Sequence, residues 1–218
     1  MEFREFSHPY VTVDVLVFSI VAGELAILLA RRNGEPFKGS LGLPGGFVGM
    51  EEGLDDAADR IVGEKGGLSD VYLEQLFSFG NPKRDPRTRV VSISYFALVP
   101  EEKANKIVSS QELGWFPVGK LPGVAFDHAE IIRAGIARLK AKITYSNIAV
   151  GLLPHQFRLS ELQRVYEIIL SQSLDKRNFR KKMLSLDLLK AVGKTDKGEK
   201  RRPAMLYTFK TSKTIFFD

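Results

Sequence analysis

The stretch from Gly45 to Leu68, GGFVGMEEGLDDAADRIVGEKGGL, carries the residue types of a phosphate site. Gly45, Gly46 and Gly49 have no side chains, so their backbone N–H groups can approach an anion closely. Glu51, Glu52, Asp55 and Asp56 follow at the start of a helical run and could supply the hard oxygen ligands that magnesium prefers. Clustered carboxylates at a helix start also have a plainer use, because they complement the positive end of the helix dipole.

A second constellation lies in DKRNFRKKMLSL, Asp175 to Leu186. Phe179, Met183 and Leu186 fall at i, i+4 and i+7 and form one apolar stripe. Arg177 and Lys181 point most directly away from that stripe, Asn178 and Arg180 lie on its flanks, and Lys176 precedes them. Guanidinium, ammonium and amide groups together can bridge phosphates and purine edges in a DNA groove. The charged loop GKTDKGEKRRP adds Lys194, Lys197, Lys200, Arg201 and Arg202, which suit backbone phosphate contact.

The elements that must position these groups are legible in the hydrophobic pattern. Val11–Ile20 and Leu25–Arg31 read as neighbouring strands, with Gly23-Glu24 as the turn between them. Asn33–Gly46 is rich in glycine and proline and reads as loop. A helix is expected over Glu52–Lys65, stopped by Gly66-Gly67. Tyr72–Phe79, Arg89–Val99 and Glu112–Val118 read as strands and His128–Lys142 as a helix. Beyond Thr144 the order changes to three helices followed by a hairpin. These are Ile148–Leu153, Ser160–Ser171 with a Ser160/Gln163 capping box, and Asp175–Leu186, then strands Leu188–Val192 and Ala204–Phe209. The tail residues Ile215, Phe216 and Phe217 are expected to pack on the fold.

Charge divides the chain at the same point. The net charge is +6, but residues 144–218 hold 15 Lys and Arg against 7 Asp and Glu, while residues 1–143 hold 17 against 19. A basic module joined to a near-neutral one points to a polyanion partner for the second. The absence of cysteine excludes disulfides and thiolate metal sites. The run Val11–Ala22 is interrupted by Asp14 and too short to span a bilayer, and no signal-peptide pattern is present, so a cytoplasmic protein with no membrane partner is expected.

The first segment resembles the Nudix box, G-x5-E-x7-R-E-U-x-E-E-x-G-U with U apolar. Gly46, Glu52, Arg60, Val62, Glu64, Gly67 and Leu68 match, and LPGGF precedes them. The resemblance implies an α/β/α sandwich that binds nucleoside diphosphate derivatives. In active members three helix carboxylates hold magnesium, which activates water. Here those positions are Ile61, Glu64 and Lys65, so two of the three carboxylates are missing. No metal site, no catalytic residue and no required cofactor are therefore expected, and the chain is not expected to be an enzyme. Ligand-binding candidates are Arg31, Arg32, Phe37, Gly46, Phe47 and Arg60. To these are added Glu64, Lys65, Arg84, Arg87, Asp127 and His128. Arginines suit phosphate through forked hydrogen bonds, and Phe37, Phe79 or Trp115 could stack on a base.

Across nearly its whole length the chain resembles the Nudix-related transcriptional regulators of NAD metabolism, the NrtR family. SHPYVTVDVLVF, LPGGFV, AFDHAEII, LSELQRVYE and LDKRNFRKKM carry the likeness. The resemblance implies an α+β chain with a Nudix-like sensing domain over residues 1–143 and a winged helix-turn-helix over 144–218. It also implies a homodimer on double-stranded operator DNA, released by ADP-ribose or a related NAD metabolite, and repression of NAD biosynthesis or salvage genes. Alternatives are the same architecture sensing another small molecule such as a sugar, or an active ADP-ribose pyrophosphatase.

Overall fold

Alternation along the first strand builds the centre of the molecule. In β1, Tyr10–Val21, the side chains of Val13, Val15 and Val17 face one layer, and those of Leu16, Phe18 and Ile20 face the other. The computed structural model describes residues 8–107, 112–194 and 204–217. β1 turns through Ala22-Gly23, both with positive φ (50° and 81°), into β2, Glu24–Arg31. The turn therefore sits one residue earlier than expected, as a two-residue loop whose conformation matches strand twist.

The sheet runs β3-β2-β1-β6-β5, with β4 also on β1 and β7 also on β2. Its members are β3 Leu41–Gly42, β4 Gly45–Phe47, β5 Tyr72–Phe79, β6 Val90–Leu98 and β7 Leu113–Pro117. β1 and β6 are parallel and the other pairs antiparallel. β3 and β4 lie in and across the end of the segment expected to be loop. Their pairing with β2 and β1, not local propensity, makes them extended.

Helices cover both faces. α1, Leu54–Gly66, packs Ala57, Ala58, Ile61 and Val62 against the valine face of β1 and ends at Gly67 in the left-handed conformation. The four-residue α2, Glu101–Ala104, follows β6. α3, His128–Tyr145, packs Ile131, Ile132, Leu139 and Ile143 against the opposite face. Gly135 permits that approach, since a Cβ there would come within 2.5 Å of Leu16. α3 continues to Tyr145, past the expected domain division.

The second unit packs onto the same core. The short helix expected over Ile148–Leu153 is a 3-10 helix, Ile148–Leu152. A short strand absent from the sequence reading, β8 Phe157–Arg158, precedes α4, Leu159–Leu170. The cap also differs. α4 starts before Ser160, Glu161 accepts from the Arg158 backbone N–H at 2.6 Å, and Gln163 instead donates to Glu167 and to the Leu174 carbonyl. α5 spans Lys176–Ser185. β9, Leu189–Lys194, and β10, Met205–Phe209, complete a three-stranded sheet in the order β8-β10-β9. Among the described residues no helix is long and apolar enough to cross a membrane.

Candidate functional site

β4 brings Gly45 and Gly46 against Asp14 and Val13 of β1. A side chain at Gly45 would collide with the Asp14 carboxylate, so the glycine is what lets this loop close on the strand. A cavity of about 280 Å3 opens here, just below the usual range of about 300–1,000 Å3 for small-molecule sites. Of the expected ligand residues, Arg32, Gly46, Phe47, Arg84, Arg87 and His128 line it.

Its floor is a buried ionic network. Arg84 donates from Nε and Nη2 to the two Asp127 oxygens, each at 2.8 Å, and from Nη2 to Asp14 at 3.2 Å. Ser92 donates to Asp14 at 2.6 Å. Arg84 and Asp127 are thus engaged with protein partners, Arg84 reaching the cavity as part of its wall. His128 Nδ1 accepts from the Leu43 N–H at 2.9 Å, and Nε2 lies 3.6 Å from Asp14. Burial lowers the His128 pKa, with Asp14 pulling the other way. Acceptance at Nδ1 requires the neutral ring, which puts its proton on Nε2, facing Asp14.

An aromatic and cationic cluster adjoins the cavity: Arg32 and Phe126 line it, and Phe37 packs on Phe126. Phe37 meets Phe126 edge-on at 4.9 Å, and the Arg32 guanidinium stacks 4.5 Å from the Phe126 ring. Phe37 and Phe126 both adopt positive φ, 63° and 52°, which bulky residues rarely do and which clusters at ligand clamps. Arg87 is half exposed and forks onto Asp85. Phe37 keeps 42% of its surface exposed. The other stacking candidates do not: Phe79 packs against the core, and Trp115 packs there too, donating to the Ala104 carbonyl.

The remaining expected ligand residues lie off the cavity. Arg31 donates to the Gly39 carbonyl. Arg60 forks onto Glu52 at 2.6 and 2.9 Å and reaches the Phe47 carbonyl, while Glu52 also accepts from the Gly49 N–H. These bonds, Arg60 first, lower the Glu52 pKa to about 2. The two box residues therefore staple the glycine loop to α1. Glu64 sits 3.5 Å from Arg60 on the exposed side of α1, and Lys65 is exposed beside it. Ile61 is 1% exposed and packs beneath Gly46. Asp55 accepts from the Tyr95 hydroxyl. Among the described residues no three His, Asp or Glu side chains converge to hold a metal ion.

Sequence reading missed Asp14, Asp85 and Thr12 as wall residues. A signal existed for Asp14: a charge inside an otherwise apolar strand needs partners.

On the second unit, the N–H of Asn178 caps onto Asp175 at 2.8 Å, and Phe179 and Met183 are buried. Lys176, Arg177, Asn178, Arg180 and Lys181 are all exposed, as is Lys182, which was not expected. Lys197, Lys200, Arg201 and Arg202 lie outside the described residues.

Residues 11–135 match the NUDIX domain model, and residues 149–209 match the NrtR DNA-binding winged helix domain. Over 212 residues the chain is 39% identical to the ADPR responsive transcriptional repressor NtrR of Acinetobacter baylyi, covering 94% of this chain and 84% of that protein. The chain belongs to the NrtR family. In this NrtR family member one buried apolar cluster holds residues of both units. The crystal structure of Shewanella oneidensis NrtR complexed with a 27mer DNA superposes with a TM-score of 0.82 at 34% identity, over 92% of this chain and 93% of that one. The Nudix domain of that NrtR, cocrystallised with ADP ribose, gives 0.53 at 30% identity over 64% and 94%. An ADP-ribose pyrophosphatase of Methanocaldococcus jannaschii is 36% identical over 132 residues, 61% of this chain and 76% of that protein.

Proposed function

We propose that this chain is an ADP-ribose-responsive transcriptional repressor of NAD biosynthesis or salvage genes, acting in the cytoplasm as a homodimer. The observation that carries the reading is Ile61, buried beneath the glycine loop and followed by Glu64 and Lys65, on a chain whose other unit exposes a basic helix. The Nudix loop keeps its Glu52–Arg60 staple, which shapes it, and lacks the carboxylates that would make it hydrolytic. A sensor needs recognition without turnover, because turnover destroys the signal. The named A. baylyi and S. oneidensis proteins, an ADPR responsive repressor and a DNA complex, support both halves of the reading.

In this mechanism the diphosphate lies against Arg32 and Arg87, and the adenine stacks at Phe37. α5 enters the major groove, with Arg177 and Lys181 toward the bases and phosphates. Lys197, Lys200, Arg201 and Arg202 of the charged loop serve the phosphate backbone. Two recognition helices must match half-sites about 34 Å apart. Ligand releases DNA only if it binds the released arrangement more tightly.

The likeness of the first unit to a pyrophosphatase keeps one rival: a true hydrolase. Incubation of ADP-ribose with the protein and Mg2+ or Mn2+ separates the two. The sensor reading expects no turnover above a Glu64→Gln control; turnover well above it overturns that reading.

A further inference from the structure

Beyond β10 the backbone turns back from the winged sheet to the sensor side. Asn147, 1% exposed, grips it from three atoms: Nδ2 donates to the Lys213 carbonyl at 3.0 Å, Oδ1 accepts from the Ile215 N–H at 2.7 Å, and the Asn147 N–H donates to the Ile215 carbonyl at 3.1 Å. The Phe217 N–H donates at 2.8 Å to the Tyr145 carbonyl, one of the terminal α3 carbonyls that lack a helical partner. Phe216 stacks on Tyr145 and lies 5.4 Å from the Lys142 ammonium. Thr214 Oγ1 is 3.3 Å from the Tyr72 hydroxyl on β5, and Tyr72 and Lys142 both bond Glu74.

Two features make this more than a tail that happens to pack. Phe216 is 64% exposed, so the segment is held by hydrogen bonds and little apolar burial, and it can detach without opening the core. And α3, which the segment caps, starts at His128, a lining residue of the ligand cavity, about 27 Å away along the helix. One helix thus touches the cavity at one end and the returning strap at the other.

We infer that residues 213–217 are the positioning strap through which the sensor holds the winged sheet, and that DNA release by ligand passes through it. This rests on the ligand-controlled repressor reading. Ligand at the N-terminal end of α3 shifts the helix; the Tyr145 and Asn147 grips carry that shift to β10, which ends four residues before Lys213. Without the strap the winged unit stays attached, because α4 packs on α3 and β2. It then binds DNA but no longer follows the sensor.

The test uses the full chain, a chain ending at Ser212, and full-length Asn147→Ala. Operator affinity is measured by fluorescence anisotropy at fixed salt with and without ADP-ribose, and ADP-ribose affinity by calorimetry. The chain has no cysteine, so Asp59→Cys and Lys190→Cys accept spin labels that report sensor-to-wing distance, diluted with unlabelled chain. In the full chain ADP-ribose should weaken DNA binding about tenfold or more. In the shortened chain and in Asn147→Ala the weakening should fall below about twofold, with ADP-ribose affinity within about threefold and a broadened distance distribution. Release of DNA by the shortened chain at the full chain's fold-change overturns the inference, whatever the distances show. If ADP-ribose is inert on the full chain, the effector reading fails instead. The distances then decide: broadening supports the strap as the positioning element, and an unchanged width overturns it.

Discussion

Arg84 and Asp127 form a two-pronged ion pair at 2.8 Å on both prongs, and Asp127 immediately precedes α3. The pair joins the NPKRDPR loop to the helix that leads away from the cavity. Asp14 closes it from β1. A strand, a loop and a helix therefore meet in one buried network beside the ligand cavity.

That network cannot lose a member cheaply. Arg84 is 4% exposed at its side chain, so Arg84→Ala leaves Asp14 and Asp127 without their counter-ion. Breaking such a pair costs about 3–5 kcal/mol. Urea unfolding should show a loss of that order; a change below about 1 kcal/mol would mean that solvent reaches the network.

Acid should weaken the same region. The folded His128 pKa lies below its ordinary value of about 6.5, so between the two the unfolded chain holds a proton that the folded chain does not. Stability is therefore full above about pH 6.5 and declines as pH falls toward the folded value. Asp14, Asp127, Arg84 and Arg32 face the ring, and the carboxylates soften the effect without reversing it. Thermal melts from pH 7 to 5 should show a steeper decline for the natural chain than for His128→Gln. Equal slopes would remove His128 as the cause.

The aromatic cluster beside the cavity makes a separable prediction. Phe37→Ala should weaken ADP-ribose binding by about 1–3 kcal/mol, the range for a base on an aromatic ring. Ligand-free DNA binding should not change. Calorimetry showing unaltered ADP-ribose affinity would place the base elsewhere.

A single restored carboxylate should not restore catalysis. Lys65→Glu returns charge to α1, but buried Ile61 still occupies the other position. Phosphate release with Mg2+ should stay at background; turnover would show that the frame needs only one repair.

On the second unit, Arg177→Ala and Lys181→Ala should each weaken operator binding by about 1–3 kcal/mol, roughly five- to 150-fold. ADP-ribose affinity should stay as it is. Unchanged DNA affinity for either would misplace the recognition helix.

The sequence made the frame legible because its signals are local and periodic. The alternation in VTVDVLVF, the Gly67 stop and the Phe179/Met183 stripe each fix one element. What it hid depends on distant partners. Arg84 read as a phosphate ligand, but Asp14 and Asp127 claim it from 70 and 43 residues away. Arg60 read as a ligand too, yet it holds the loop that shapes the cavity. β3, β4 and β8 are two or three residues long and exist only through their neighbours. The Asn147 grip on residues 213–215 joins segments more than 60 residues apart, beyond any sequence pattern.

The most direct measurement is operator binding by the full chain at one fixed salt concentration, titrated with ADP-ribose; the salt must be held because the phosphate contribution depends on it. DNA from upstream of the protein's own gene cluster and of neighbouring NAD genes supplies the sites. The account predicts a specific complex that ADP-ribose dissolves while the nucleotide itself stays intact. A specific complex indifferent to ADP-ribose, or ADP-ribose consumed as the complex falls apart, would contradict it.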